Sequence, residues 1–261
     1  MDLGLKDKKA LVVGASRGLG AAIARTLALE GATVFAAARS VDKIEAWIAE
    51  LPADARGRVS AVRLDTGDLA QVDAACETLL AQGGVDILVN NTGGPPPGVA
   101  AEVKRDAWIT QFQGMAANLF HLTQRLLPPM RERKWGRVIT VASSGIEQPI
   151  PNLALSNGIR SAVLGWSKTL AAEVAGDGIT VNMVLPGRIK TERLGQLDKA
   201  NAERQNVSVE KIAEASRAAI PAGRYGTPQE FANVVAFLAG EPASYVTGSK
   251  IRIDGGATRS V

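Results

Sequence analysis

Seven short apolar runs constrain this chain more than any single motif: KALVVGA, ATVFAAA, VSAVRLD, VDILVNN, GRVITVAS, GITVNMVLPG and SKIRIDGG. Most are apolar throughout rather than alternating. That pattern is required of strands whose two faces are both covered by helices, which is the situation in a parallel sheet. Longer segments with helical patterning separate the runs, among them residues 19–30, 69–82, 116–133 and 162–175. The alternation predicts an α/β fold with a doubly wound parallel sheet of about seven strands. Ligands of such sheets bind beyond the carboxyl ends of the strands.

A length of 261 residues suits one α/β domain, so residues 1–261 are read as a single unit. One segment breaks the rhythm. Residues 191–221 are polar and charged, with no strand candidate. They are expected to form a helical insertion beside the site, acting as a substrate lid; a solvated helical hairpin is the alternative.

Composition removes several classes of function. The single cysteine, Cys76, excludes an internal disulfide and fits a reducing cytoplasm. The single histidine, His121, excludes a His-rich metal centre. No apolar run approaches the ~18 residues of a membrane span, and the opening MDLGLKDKK carries no secretory pattern. Net charge is only +4, aromatics are 4%, and bases are interspersed with acids, so no nucleic-acid surface is expected.

VVGASRGLG, residues 12–20, follows the first predicted strand and opens the first predicted helix. Gly14 permits a tight turn, and Gly18 and Gly20 let the backbone approach a diphosphate at the helix N-terminus. Ser16, Arg17 and Leu19 share that loop and count with it as cofactor contacts. The bland reading is a glycine-rich turn without a ligand.

The spacing G-x-x-x-G-x-G resembles the short-chain dehydrogenase/reductase family, and the resemblance then runs through nearly the whole chain. It implies a Rossmann fold. Asp65 and Thr66 stand at that family's adenine-contacting position, and NNTG (90–93) at its asparagine turn, so the resemblance assigns Asn91 and Gly93 to the cofactor. VASS (141–144) matches the strand with the catalytic serine. LPGRIKT (185–191) matches the nicotinamide-side loop, contributing Pro186, Gly187, Ile189 and Thr191. YVTGSKIRIDGG (245–256) matches the C-terminal strand. The pattern is similar to the β-ketoacyl-carrier-protein reductase branch, and within it to a divergent subgroup with GGPPPG (93–98). The resemblance also implies a homotetramer with two-fold axes, paired through residues 116–133 and 162–175 and the C-terminal strand.

Cofactor choice is read at the end of the second strand, AAARS. An NAD-selective pocket places an acid there for the ribose 2′-hydroxyl. Ala38 holds that place and Arg39 follows it, with Arg17 in the glycine loop. Two guanidinium groups favour a 2′-phosphate, hence NADP(H); the other reading is two solvated surface arginines.

The reacting end departs from the family. There an Asn–Ser–Tyr–Lys set acts on a carbonyl or alcohol, with the tyrosine as proton donor. Ser143 keeps the serine position, six residues after Arg137. Thirteen residues further stands Ser156 instead of tyrosine, and four beyond it Arg160 instead of lysine. Met115 holds the asparagine position. Asn118, one turn on, is a candidate replacement, and Glu147 a candidate proton carrier or merely an exposed loop carboxylate. His121 is expected to pack or lie at the surface, Trp166 to pack or lie at a subunit interface, and Tyr225 and Tyr245 do not replace the lost tyrosine. Arg160 is expected to bind ribose hydroxyls and stabilise an alkoxide, yet it cannot release a proton. Three functions therefore stand open: an NADP(H)-dependent reductase with an atypical active site, a non-catalytic NADP-binding sensor or partner subunit, or a dehydration or isomerisation on the same scaffold.

Overall fold

The computed structural model describes residues 1–260. β1 (Lys9–Val13) leads through the glycine loop into α1 (Gly18–Leu29), and β2 (Thr33–Ala38) follows. α2 (Val41–Ala49) and the short α3 (Ala53–Arg56) precede β3 (Val59–Arg63), and α4 (Leu69–Ala81) returns the chain to β4 (Ile87–Asn90). α5 (Arg105–Phe112), a π-helical turn (Gln113–Ala117) and α6 (Asn118–Glu132) form one long interrupted helix before β5 (Gly136–Val141). α7 (Ala154–Val174) leads to β6 (Ile179–Pro186), then α8 (Glu192–Gln205) and α9 (Val209–Ala218). α10 (Pro228–Ala239) and β7 (Lys250–Ile253) complete the order.

All strand pairs are parallel, in the order β3-β2-β1-β4-β5-β6-β7. Strand succession reverses between β1 and β4, so a crevice opens beyond their carboxyl ends. The five central strands bury both faces, while the edge strands β3 and β7 are partly exposed. Ala10 and Val12 of β1 pack with α1 and α10, while Leu11 and Val13 pack against α4 and α6. This is why the central runs show no polar alternation: each fully buried Val or Leu contributes about 1.5–3 kcal/mol.

Residues 191–221 form two helices, as the sequence predicts. Thr191 and Ser208 cap their N-termini, and Asn206, at φ 52°, ends α8 in the left-handed region. The chain differs from expectation in α7, which begins at Ala154 rather than near residue 162. Asn157 explains the early start: its side-chain amide donates to the Ile150 carbonyl at 2.9 Å and its Oδ1 accepts from the Ile150 amide. A tertiary clamp thus overrides the weak helix propensity of Ser-Asn-Gly. The helix expected over 116–133 is likewise entered through the π turn, which carries Met115 and Ala116 inward. Among the described residues no helix is long and apolar enough to cross a membrane.

The crevice depends on two glycines. Gly14 sits at φ +69°, and a Cβ there would lie 2.4 Å from the Asn91 carbonyl oxygen. A Cβ on Gly20 would lie 2.2 Å from the Gly14 carbonyl oxygen. Gly14→Ala is therefore expected to cost roughly 2–4 kcal/mol through strain and overlap, read as a lowered urea midpoint; an unchanged midpoint would show that the loop is looser than this.

Candidate active site

The turn after β1 is fixed from three sides. The Ala15 amide donates to the Ala37 carbonyl at 3.0 Å, and the Trp47 indole donates to the Ala15 carbonyl at 2.9 Å. Asn91, just past β4, donates its amide to the carbonyls of Val13 and Gly14 at 3.2 and 3.3 Å. It thereby ties the two sides of the crevice together. No side chain caps the first turn of α1, so its N–H groups remain available to an anion.

The loop after β3 is equally rigid. Asp65 accepts from the Gly67 amide at 2.9 Å, and Asp68 caps α4. The Thr66 carbonyl accepts from the Asn118 amide at 2.6 Å. Asn118 is buried and spends this donor on the loop, so it is a positioning residue and not a stand-in for the asparagine missing at Met115. At the end of β2, Ala38 is buried and Arg39 is exposed without an acidic partner among the described residues. Arg17 is not free: it pairs with Glu192 of α8 at 2.7 Å, with both side chains largely exposed. Such a pair is weak and readily exchanged.

The first turn of α8 reaches the crevice. Thr191 caps it by accepting from the Leu194 amide, and its methyl group lies beside Gly18. Arg193 donates to the Pro95 carbonyl at 3.2 Å. The first turn of α8 thus reaches the glycine loop through Glu192 and the proline loop through Arg193. Pro186 ends β6, the Gly187 amide donates to the Ile253 carbonyl at 3.0 Å, and Ile189 is buried. On the buried face of α8 a carboxylate, Asp198, accepts from Arg188 at 2.7 Å and from the Tyr225 hydroxyl at 3.0 Å. Tyr225 is committed there and Tyr245 is fully exposed, so neither supplies a phenol to the site.

Ser143 lies two residues past β5 and its Oγ accepts from the Gly145 amide at 3.1 Å, which leaves its O–H free to donate. Because α7 starts at Ala154, Ser156 and Arg160 fall one turn apart on one face of it, and both are buried. Arg160 reaches the carboxyl edge of the sheet: its guanidinium donates to the Val141 carbonyl at 2.7 Å and makes a longer 3.5 Å contact with the Thr92 carbonyl. Ser143, two residues past β5, and Arg160, bonded to the last residue of β5, therefore lie at the same strand end, with Ser156 one turn before Arg160 on α7. Burial pushes the Arg160 guanidinium down to about 10, so it stays charged at neutral pH.

Glu147 corrects the sequence reading twice. Its side chain is only 6% exposed, and it is held by Lys250 at 2.8 Å and by Arg252. Burial opposes its ionisation, but hydrogen bonds from Arg252 and Lys250 outweigh this and hold its carboxyl below the usual range. It is neither an exposed carboxylate nor a proton donor; it fastens the loop after Ser143 to β7. His121 pairs with Asp73 at 2.7 Å, beside Arg125, and Trp166 stacks on Phe120 at 4.3 Å, the packing roles expected of them. Sequence reasoning missed Asn157, Asp198, Arg193, Lys250 and Arg252. Each acts through partners far away in the chain, apart from Asn157, which lies beside Ser156.

Glu147→Gln is expected to lose roughly 1–3 kcal/mol at pH 7, because two cations lose their acceptor. The folded pKa lies below the unfolded value near ~4.3, so this contribution is present above that value and fades as pH falls through the folded one. Denaturation midpoints of parent and variant should draw together as the pH falls through that folded value. Equal midpoints at pH 7, or a gap that does not narrow on acidification, would contradict the assignment.

Similarity to known proteins covers nearly the whole chain. Residues 14–258 match the family profile described as Enoyl-(Acyl carrier protein) reductase. The chain is 36% identical to the 3-oxoacyl-(acyl-carrier-protein) reductase FabG of Escherichia coli, covering 97% of this chain and 98% of that one. It is 38% identical to nodulation protein G of a Rhizobium species, covering 97% of each. Among solved structures it is similar to L-sorbose reductase from Gluconobacter frateurii complexed with NADPH and L-sorbose, at 33% identity, full coverage of both chains and a TM-score of 0.93. YwfH, an NADPH-dependent reductase involved in bacilysin biosynthesis, superposes with a TM-score of 0.93 at 28% identity, over 98% of this chain and 100% of that one. On its own carboxyl-edge geometry and on these matches, the chain belongs to the short-chain dehydrogenase/reductase family.

Proposed function

We propose that this chain is an NADP(H)-dependent oxidoreductase of carbonyl and alcohol substrates, 3-oxoacyl-reductase-like in descent, with an active site that lacks the family's tyrosine and lysine. The observation that carries the reading is the placement of the Arg160 guanidinium on the Val141 carbonyl, at the same strand end as Ser143. The cofactor fits the residues present. The uncapped N-terminus of α1 would hold the diphosphate, with Gly14, Ser16, Gly18, Leu19 and Gly20 leaving room for it. Arg39, together with Arg17 released from Glu192, would hold the 2′-phosphate, since no acid stands at Ala38. Asp65, Thr66, Asn91 and Gly93 would line the adenosine side, and Pro186, Gly187, Ile189 and Thr191 the nicotinamide side. When bound, the reduced nicotinamide supplies the hydride.

The chain's own residues do the rest. Ser143 donates its hydroxyl to the substrate oxygen and Ser156 lines the same space. Arg160 stabilises negative charge developing on that oxygen, about 3–4 kcal/mol for one well-placed donor. It holds its own proton, so the final proton comes from water. Losing a positioned acid costs ~10²–10⁴ in rate, and turnover of ordinary ketones is correspondingly slow. Residues 191–221 act as the substrate lid through Glu192 and Arg193. In solution a homotetramer forms through α6 and α7, the helices that carry the stacked Phe120 and Trp166. A cytoplasmic location fits a chain whose lone cysteine, Cys76, is buried and free. The second reading, an NADP-binding sensor or partner subunit, is favoured by one observation: no titratable phenol, amine or carboxyl is left to donate beside Ser143.

Calorimetry is expected to give NADPH a dissociation constant at least tenfold below that of NADH, about 1.4 kcal/mol, and Arg17→Ala with Arg39→Asp to abolish the difference. Equal constants in the parent would remove the 2′-phosphate assignment. The reductase reading is tested by rebuilding the donor. Met115→Asn, Ser156→Tyr and Arg160→Lys together should raise NADPH oxidation with a reactive diketone or β-ketoester by about tenfold to a thousandfold. A variant that folds, binds NADPH as its parent does and gains nothing on a broad carbonyl panel would give the lead to the sensor reading.

A further inference from the structure

Two arginines of this chain are deeply buried, and they are compensated differently. Arg137, 1% exposed, has Glu241 at 3.7 Å, the Trp135 ring at 4.2 Å and the carbonyls of Gly136 and Gly240. Arg160, 9% exposed, has only the carbonyls of Val141 and Thr92, the second at 3.5 Å. Among the described residues no carboxylate lies within 4.0 Å of it, and no charged neighbour offsets the effect of burial on its proton affinity. An uncompensated buried cation is strongly unfavourable. The two carbonyls use at most two of its five N–H donors, and among the described residues the remainder have no hydrogen-bond partner.

We propose that the Arg160 guanidinium is a carboxylate receptor and that the substrate is an oxo acid, with the 2-oxo acids as the best match. The proposal rests on the reductase reading and names its substrate class. A guanidinium presents parallel N–H groups that take two oxygens at once. A 2-oxo acid offers one carboxylate oxygen and its carbonyl oxygen on adjacent carbons, spaced for such a fork. That binding mode would neutralise the buried charge and set the carbonyl oxygen on a cation, within reach of the Ser143 hydroxyl at the same strand end. It also accounts for the substitution itself. Lysine carries a compact point charge and no planar fork, whereas arginine at position 160 holds a permanent charge where the substrate brings the opposite one.

The test is calorimetric titration of the protein saturated with NADP⁺, which prevents turnover, using 2-oxopentanoate and its methyl ester at pH 7. The acid is expected to bind at least tenfold tighter than the ester. Arg160→Gln, titrated at an NADP⁺ concentration that saturates the variant, should bring the two within threefold of each other. An ester that binds as tightly as the acid, or neither binding below 10 mM, an arbitrary ceiling of about −2.7 kcal/mol, would overturn the proposal. So would an acid preference that survives in Arg160→Gln. Loss of NADP⁺ affinity in that variant with the acid preference intact would show that the anion met by Arg160 is a cofactor phosphate, which also overturns it. If Arg160→Gln fails to fold, Arg160→Lys decides: it should keep a preference for the acid, reduced severalfold, and an undiminished preference would place the carboxylate elsewhere. Failure of the underlying reading looks different. NADPH oxidation with neutral ketones but no preferential acid binding keeps the reductase and removes this proposal. Acid binding at Arg160 with no carbonyl turned over does the reverse.

Discussion

A positive charge buried without an acid partner at the carboxyl edge of the sheet sets the terms for everything around it. Arg160 is held by the Val141 carbonyl at 2.7 Å, which requires α7 to start early and to bring its first turns against the end of β5. That in turn requires Asn157 to clamp the loop after Ser143, through both polar atoms of its amide on Ile150. Glu147 then fixes the far side of the same loop to Lys250 and Arg252 on β7. The result is a rigid wall presenting hydroxyls and a guanidinium. Among the described residues it holds a serine at 156 and an arginine at 160 in place of a phenol and an amine.

The opposite wall is built mainly from backbone, fixed by the side chains of Asn91 and Trp47. Gly14 and Gly20 approach so closely that neither tolerates a methyl group, and Asn91 holds β1 and β4 in register at the crevice. Between the two walls lies α8, whose Glu192 and Arg193 reach in opposite directions, one to Arg17 and one to the Pro95 carbonyl. Because the Arg17–Glu192 pair is exposed, it is worth little against a phosphate dianion. Seating the 2′-phosphate would exchange one partner of Arg17 for a better one and loosen the cover at the same moment.

Much of this was legible in the sequence because it is local. Strands buried on both faces read as continuous apolar runs, and all seven were visible; the glycine loop announces itself by strand, glycines and helix in succession. Register alone placed Ser143, Ser156 and Arg160. What could not be read depends on distant partners. Glu147 looks like an exposed loop carboxylate until β7, about a hundred residues later in the chain, brings Lys250 and Arg252 to it. The π turn at Met115 has no periodic signature, and the early start of α7 runs against the propensity of Ser156, Asn157 and Gly158. Asn118 shows the same limit. Its residue type fits a relay, but its amide belongs to the Thr66 carbonyl.

The central claim is that this scaffold stabilises an oxyanion with a fixed charge and possesses no titrating proton donor of its own. The pH dependence of kcat/KM for NADPH oxidation with an activated carbonyl measures this directly, since its inflections report the acids and bases of the free enzyme. The account predicts measurable turnover and a profile that stays flat from about pH 6 to about pH 9, a window in which neither serine nor arginine titrates. An inflection inside that window would reveal a protein acid that the structure does not place at Ser143, and the complete absence of turnover would leave Arg160 holding a ligand but no reaction.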